Sequence, residues 1–271
     1  MKKSKLFIVK KITAIATLFA TLSLLFAACG KGDDKNFTLA VGFDSSFPPF
    51  GYVEKGEYKG FDLDLAREVA KRRGWKVELK AIDWDTKDAQ LKAGQINCIW
   101  NGFTMNGRED KYTFSRPYID NTQVMVVRND GSIKSFADLK GKKVAVQTDS
   151  SALAALESDD HKDLMNSFGK LEIQKEYVTS FTSLEAGAVD AIAIDEGVAK
   201  DQIAKKGNNK FKILDEKISK EQYAIGFLKG NEKLRDEVQE TLDEMIKDGT
   251  FKKIAQKYGL EDTIIETIPS K

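Results

Sequence analysis

From Phe37 onward, short apolar runs alternate with stretches in which apolar residues recur every three or four positions, the two periods that separate strands from amphipathic helices. Thr38 to Phe43, Lys76 to Ala81 and Ile96 to Trp100 read as strands, with helices over Asp62 to Arg73 and Thr86 to Ala93 between them. Leu65, Ala66, Val69 and Ala70 form one helical stripe, Asp62 suits an N-cap, and Gly74 and Gly94 stand where helices end. The alternation continues through Ser135 to Leu139, Lys143 to Gln147, Ser151 to Leu156 and Glu172 to Tyr177. It closes with a strand over Tyr223 to Phe227 and amphipathic helices over Asn231 to Lys247 and Thr250 to Lys257. Strands alternating with helices imply an α/β fold with parallel pairing.

A short internal repeat divides this series. Leu91 to Ile99 (LKAGQINCI) and Leu184 to Ile192 (LEAGAVDAI) share a helix end, a glycine and a buried strand, with Asn97 and Asp190 at equivalent places. Each copy closes its own helix and strand series, so the chain reads as two similar α/β lobes.

Composition adds one asymmetry. The chain has 271 residues with 41% hydrophobic positions, and 43 basic side chains balance 42 acidic ones, which is globular rather than disordered or fibrous. No basic excess exists to condense on nucleic acid. With His161 as the one histidine and Cys29 and Cys98 as the two cysteines, a His/Cys zinc site or a Ser-His-Asp triad would lack parts, and no cofactor is implied. Five lysines, however, crowd residues 1–11, ahead of an uncharged apolar run over 12–28 that ends Ala27-Ala28-Cys29. This pattern predicts a signal peptide over 1–28. Cys29 resembles the cysteine of a bacterial lipobox, with Phe26 where that motif usually has leucine, so lipidation of Cys29 and a polar tether over 29–36 are expected. Cys98, among Ile96, Ile99 and Trp100, reads as a small buried hydrophobe.

In open α/β sheets, ligands bind beyond the carboxyl ends of strands. Asp44 and Phe47 follow the first strand, Trp84 the second, and Gly102, Phe103, Thr104 and Arg108 the third; Ser150 and Ser151 open a later helix, and Asp195 ends a later strand. A guanidinium and backbone N–H groups suit a carboxylate. A carboxylate, a carbonyl and a hydroxyl suit an ammonium, and aromatic faces at Phe47, Trp84 and Phe103 suit a side chain. A zwitterion fits that set.

Phe47-Pro48-Pro49-Phe50, Gly60 to Ala66 (GFDLDLA), Trp84, Leu91 to Gly94, Gly102-Phe103-Thr104, Arg108, Phe114 to Tyr118 (FSRPY) and Asp248-Gly249-Thr250 resemble, in order, the polar amino-acid solute-binding proteins of ABC importers. The resemblance implies two Rossmann-like lobes of the type II periplasmic-binding-protein kind, joined by two crossover strands, with 37–123 and 223–271 as one lobe and 124–222 as the other. It implies that Arg108 and Ser151 hold a carboxylate, that Gly102, Thr104 and Asp195 hold an ammonium, and that Phe47 and Trp84 line the side-chain pocket. Asp44 and Asp85 would favour a basic or amide side chain, or else cap a turn or helix. The implied partners are an amino acid or close derivative and a membrane permease with its ATPase; a monomer held at the outer face of the membrane by lipid alone is expected. Two departures stand out: the Thr104 to Arg108 stretch is one residue shorter than the family pattern, and Asp149 replaces a glycine. Other readings are an enzyme on the same scaffold, such as a cyclohexadienyl dehydratase, or a detached sensor domain. The enzyme would need an acid or base in the cleft, and His161 sits in a polar run.

Overall fold

The computed structural model describes residues 36–207 and 209–267. The expected signal peptide, Cys29 and nearly all of the tether lie outside the described residues. The chain begins with β1 (Thr38–Phe43), a small antiparallel sheet of β2 (Ser46–Phe47), β3 (Gly51–Glu54) and β4 (Glu57–Lys59), helix α1 (Phe61–Arg73) and β5 (Lys76–Ala81). A 3-10 turn over Trp84–Thr86, α2 (Lys87–Lys92), β6 (Cys98–Ile99) and β7 (Tyr112–Phe114) complete the first pass. The second part holds β8 (Ile119–Arg128), β9 (Lys143–Gln147), α3 (Ser151–Glu157), α4 (Lys162–Ser167), β10 (Lys170–Gln174), α5 (Tyr177–Glu185), β11 (Ala191–Asp195), α6 (Glu196–Lys206) and β12 (Phe211–Tyr223). The chain then returns through β13 (Gly226–Leu228) to α7 (Glu232–Lys247) and α8 (Thr250–Lys257).

Two five-stranded sheets result, ordered β5-β1-β6-β13-β7 and β10-β9-β11-β8-β12, and they define two lobes. The pairs β1–β5, β1–β6, β9–β10 and β9–β11 are parallel, as the strand and helix alternation implies. β7, β8, β12 and β13 pair antiparallel instead, so both sheets are mixed. The reason is the path of the chain: β8 leads into the second lobe and β12 leads back out of it, so the two run antiparallel from Ile119–Tyr223 to Arg128–Phe211. The chain passes between the sheets from Phe114 to Ile119 and again from Tyr223 to Gly226. What reads as one strand over Tyr223 to Phe227 is therefore the end of β12, a buried crossing at Ala224 and Ile225, and the start of β13. A continuous apolar run conceals the change of sheet.

The second sheet is buried on both faces. Val124 and Val126 of β8 join Ile192 and Ile194 of β11 in one apolar cluster, while Met125, Val127, Ala191 and Ala193 join another. Such strands show unbroken apolar runs rather than alternation. On the first lobe, α7 and α8 cover α1: Phe251 meets Phe61 edge to face at 5.8 Å, and Arg72 reaches Asp248 at 2.7 Å and Thr250 at 2.9 Å.

The internal repeat is a repeated hydrogen-bond device. Gly94 and Gly187 both adopt the left-handed conformation, φ 69° and 75°, after α2 and α5. Asn97 N–H then donates to Ala40 O, inside β1, and Asp190 N–H to Lys143 O, at the start of β9. Their side chains accept from the same two strands, Asn97 Oδ1 from Ala40 N–H at 2.7 Å and Asp190 Oδ2 from Lys143 N–H at 3.0 Å. Asn or Asp is needed because only a short side-chain oxygen reaches back one strand.

Asn97→Ala strands a half-buried amide and is expected to cost about 1–3 kcal/mol. Asp190→Ala is expected to cost less, because water reaches the exposed Lys143 amide. Urea unfolding of both variants checks the order; a larger loss for Asp190→Ala would contradict it.

Candidate functional site

Where the carboxyl ends of β1, β6, β9 and β11 meet between the lobes lies a polar cavity of about 20 Å³, room for roughly one water. The first lobe contributes Asp44, Phe47, Trp84, Asn101, Gly102, Thr104 and Arg108; the second contributes Gln147, Ser150, Ser151 and Asp195. Every residue expected at the site lines this cavity except Phe103. A wider space of about 350 Å³ opens beside it, sharing Asp44 and Trp84 and rimmed by Asp83, Asp85, Glu176 and Lys175.

The lobes touch across the cavity. Thr104 Oγ1 donates to Ser151 Oγ at 3.0 Å, Gln147 Nε2 donates to Asp44 Oδ2 at 2.7 Å, and Ser46 Oγ donates to Glu176 Oε2 at 3.0 Å. Phe47 packs against Tyr177 of the opposite lobe with ring centroids 6.0 Å apart. This is a closed cleft.

Arg108 is the least committed cation in it. Its backbone closes a turn onto Met105 O at 3.0 Å, so the short Thr104 to Arg108 stretch still brings the side chain to the cavity. Its guanidinium donates to Thr104 O at 3.1 Å, lies 5.0 Å above the Phe103 ring and forms no ion pair among the described residues. Phe103 itself is fully buried among Ile82, Ile99 and Tyr112. Contrary to its expected place against a ligand side chain, it is the platform on which Arg108 rests. Its neighbours on both sides face the cavity, and a third outward side chain would leave the strand end without a core residue.

Gly102 adopts φ 55°, and a Cβ there would meet Phe47 at 2.8 Å and Tyr223 at 3.0 Å. Its N–H donates to Asp62 Oδ2 at 2.6 Å, and Tyr118 OH donates to Asp62 Oδ1 at 2.9 Å. Asp62 is thus not the N-cap of α1, which is Gly60. It is a buried strut under the cavity floor, its carboxyl pushed up to about 7 by burial. Ser150 turns out to be chiefly a cap: its hydroxyl accepts from Leu153 N–H at 3.1 Å and donates to Gln147 O at 2.8 Å. Asp44 does two things at once, capping a turn through Ser46 N–H at 2.7 Å and bridging to Gln147.

Asp195 is fully buried at the end of β11, its Oδ1 accepting from Tyr223 OH at 2.5 Å, Gln123 Nε2 at 2.7 Å and Asn121 Nδ2 at 2.9 Å. Burial and then the adjacent Glu221 carboxyl push it above the usual carboxylate range. A guanidinium from one lobe and a carboxylate from the other face one cavity, an arrangement for a zwitterion. Residues 39–261 match the profile of the bacterial extracellular solute-binding proteins, family 3. The chain belongs to this family.

Among its relatives in the family, the probable amino-acid-binding protein YxeM of Bacillus subtilis is 35% identical, covering 94% of this chain and 96% of the relative. The L-cystine-binding protein TcyA of the same organism is 32% identical, with 92% and 98% covered. A substrate-binding protein of an ABC uptake transporter from Streptococcus pneumoniae, crystallised with bound histidine, superposes with a TM-score of 0.80 at 32% identity, covering 85% of this chain and 95% of that one. The fold of this solute-binding protein is accordingly the two-lobed type II one.

Sequence reasoning missed several residues that support the cavity of this solute-binding protein from behind. Asn121, Gln123 and Glu221 lie on β8 and β12, where alternating polar positions look like any solvated strand face. Lys87 was a further omission. It is 2% exposed, ion-paired with Asp149 of the opposite lobe, and its ammonium lies 5.0 Å from the Trp84 ring centroid. Burial pulls this ammonium below its ordinary range and Asp149 pulls it back. Asp149 holds φ 51°, which explains why glycine suits the position. Lys87 neutralises the charge that Asp149 brings beside the site.

Asp149 is half-exposed, 57% of its side chain facing solvent, so the pair is screened and worth about 1 kcal/mol or less. Asp149→Gly also relieves the positive φ. Amino-acid affinity in this variant is expected within about fivefold of wild type, a 1 kcal/mol change, as read by calorimetry. A loss of a hundredfold would make the pair part of the ligand site.

Proposed function

We propose that this chain is the extracellular capture subunit of an ABC importer for a polar amino acid. One observation carries the reading: Arg108, without an ionic partner, and the buried Asp195 face the same closed cavity from opposite lobes. Arg108 and Ser151 take the α-carboxylate; Gly102 O, Thr104 and Asp195 take the α-ammonium; Phe47 and Trp84 flank the side chain. A planar guanidinium matches a carboxylate bidentately, and donors fixed in a dry cleft need no reorganisation. The inner cavity holds about one water, so an amino acid enters only when the Thr104–Ser151 contact parts. Capture then proceeds by opening, binding and closure, and the closed form is what a permease with its ATPase receives.

The wider outer space supports a preference for the side chain. Asp83, Asp85 and Glu176 outnumber Lys175 on its rim, so a distal ammonium, guanidinium or ring N–H is favoured and a distal carboxylate is not. The histidine bound in the Streptococcus pneumoniae relative, with its ring N–H, fits this sign. No residue around the inner cavity is a histidine, and His161 stands before α4, away from both spaces. Capture and delivery, rather than turnover, is the function proposed. Lipid attachment at Cys29 would keep the protein at the outer membrane face.

Calorimetry with the twenty amino acids and cystine is expected to show binding, weakest for aspartate and glutamate. Arg108→Lys retains charge but loses the planar fork. Removing one partner of a charged hydrogen bond in a closed cleft costs roughly 2–5 kcal/mol, so at least about 30-fold in affinity should be lost. Asp195→Asn should lose as much, and an analogue without its α-amino group should be penalised less by Asp195→Asn than the parent. Binding of Arg108→Lys within about twofold of wild type would remove this arginine from the site.

Cys29→Ala is expected to leave folding and binding intact while moving the protein from the detergent phase to the aqueous phase in detergent partitioning of cells. Equal partitioning of wild type and variant would show that Cys29 carries no lipid.

A further inference from the structure

Behind Asp195 stands a second carboxylate to which capture assigns no role. Asn121 and Gln123 lie two apart on β8 and so share a face. Gln123 is the register partner of Asp195 on β11, and Asn121 is that of Glu221 on β12. Asn121 Nδ2 donates to Asp195 Oδ1 at 2.9 Å and to Glu221 Oε1 at 2.7 Å; Gln123 Nε2 donates to the same two oxygens, each at 2.7 Å. Two carboxylates are thus held within reach of the same two amide groups. Asp195 is 3% exposed and Glu221 6%, and neither forms an ion pair among the described residues.

Among the described residues no cation pairs with either carboxyl, although a further space along β8 and β12 is lined by Lys220 and Asp120 together with Asn121 and Glu221. Tyr223 on β12 and Tyr177 on α5 face the pair, and both phenols are pushed well above their ordinary range by burial first and then by the Asp195 charge. Asp44 adds a third carboxyl from across the cleft. Glu196, next to Asp195 in the chain, is turned to Lys200 and Lys217. Gln123 Oε1, buried beside the pair, meets no donor. Two nearly buried carboxyls this close, neither of them ion-paired among the described residues, do not both ionise.

We infer that the Asp195 carboxyl, crowded by Glu221, holds a proton in the ligand-free protein, and that an amino acid's α-ammonium displaces it, with Glu221 the positioning carboxylate behind the ammonium site. This rests on the capture reading above. All four side chains belong to adjacent strands of one sheet, β11, β8 and β12, so opening the cleft does not separate them. The exchange is balanced: the proton leaves a carboxyl oxygen for solvent as the ammonium takes its place, and no other bond changes. Affinity should rise with pH below the titration of Asp195, at most about tenfold per unit for one proton released.

Two measurements on the full chain test this. In ligand-free protein labelled with 13C at the Asp and Glu side-chain carboxyls, an NMR titration should show one resonance moving far above the usual carboxylate range that disappears in Glu221→Gln and in Asp195→Asn. The Asp62 signal, also raised, should stay in both variants and reports that they fold. Calorimetry at pH 7 with L-arginine, L-histidine and L-cystine, in two buffers of different ionisation enthalpy, should show close to one proton released per binding event in wild type and near none in Glu221→Gln. Ordinary titration of both carboxyls in wild type overturns the inference whether or not any amino acid binds, and so does binding without proton release. A high titration with no binding to any of the three supports the proton on Asp195 and overturns its displacement and the capture reading.

Discussion

Closing two lobes over a polar site removes water from groups that water had satisfied, and each of them then needs a partner. Asp44 finds Gln147, Lys87 finds Asp149, Ser46 finds Glu176 and Thr104 finds Ser151, every pair drawn from opposite lobes. What the lobes do not provide is a counter-charge for Arg108 or a donor for the buried oxygens Asn101 Oδ1 and Gln123 Oε1. An unsatisfied buried group costs about 1–3 kcal/mol. A zwitterion that supplies both charges therefore makes more contacts in the closed form than in the open one, which is the differential affinity that any ligand-driven closure requires.

The two crossing strands do more than connect. β8 and β12 carry Asn121, Gln123, Glu221 and Tyr223 to the hydrogen-bond cluster behind Asp195, and antiparallel pairing fixes their register against one another and against Asp195. The hydrogen-bond partners of Asp195 are thus built on the same strands that cross between the lobes. Register shifts at Ile213 to Ser219 lie well along β12, away from its Tyr223 end. The end nearest the site keeps regular pairing, so an unbroken ladder sets the geometry around Asp195.

The legible parts of this protein were those set by local chemistry. Strands ending in Asp44, Gly102 and Asp195 could be placed because short apolar runs followed by polar residues mark the carboxyl edge of an α/β sheet. Asp62 shows the limit. At the start of an apolar-striped helix it looks like any cap, and only the approach of Gly102 and Tyr118 from distant parts of the chain makes it a strut. Lys87 and Glu221 were illegible for the same reason, since their partners lie 62 residues away and, for Gln123 and Glu221, 98 residues away. Phe103 was misplaced because aromatic character alone does not say which face of a strand end is inward.

The two spaces divide recognition by chemistry. The inner cavity presents groups suited to the α-carboxylate and α-ammonium, which all amino acids share, and these are charged residues at strand ends with an unmistakable pattern. The outer space meets what differs among amino acids, and its rim is made of loop residues after β1, β5, β9 and β10 that are exposed in isolation. Loops vary without disturbing the sheets. A fold built this way can change the side chain it accepts by altering Asp83, Asp85, Lys175 or Glu176 while Arg108 and Asp195 stay in place. The class of ligand is therefore written in the strand ends, and the choice within the class in loops whose effect depends on which charges closure brings together.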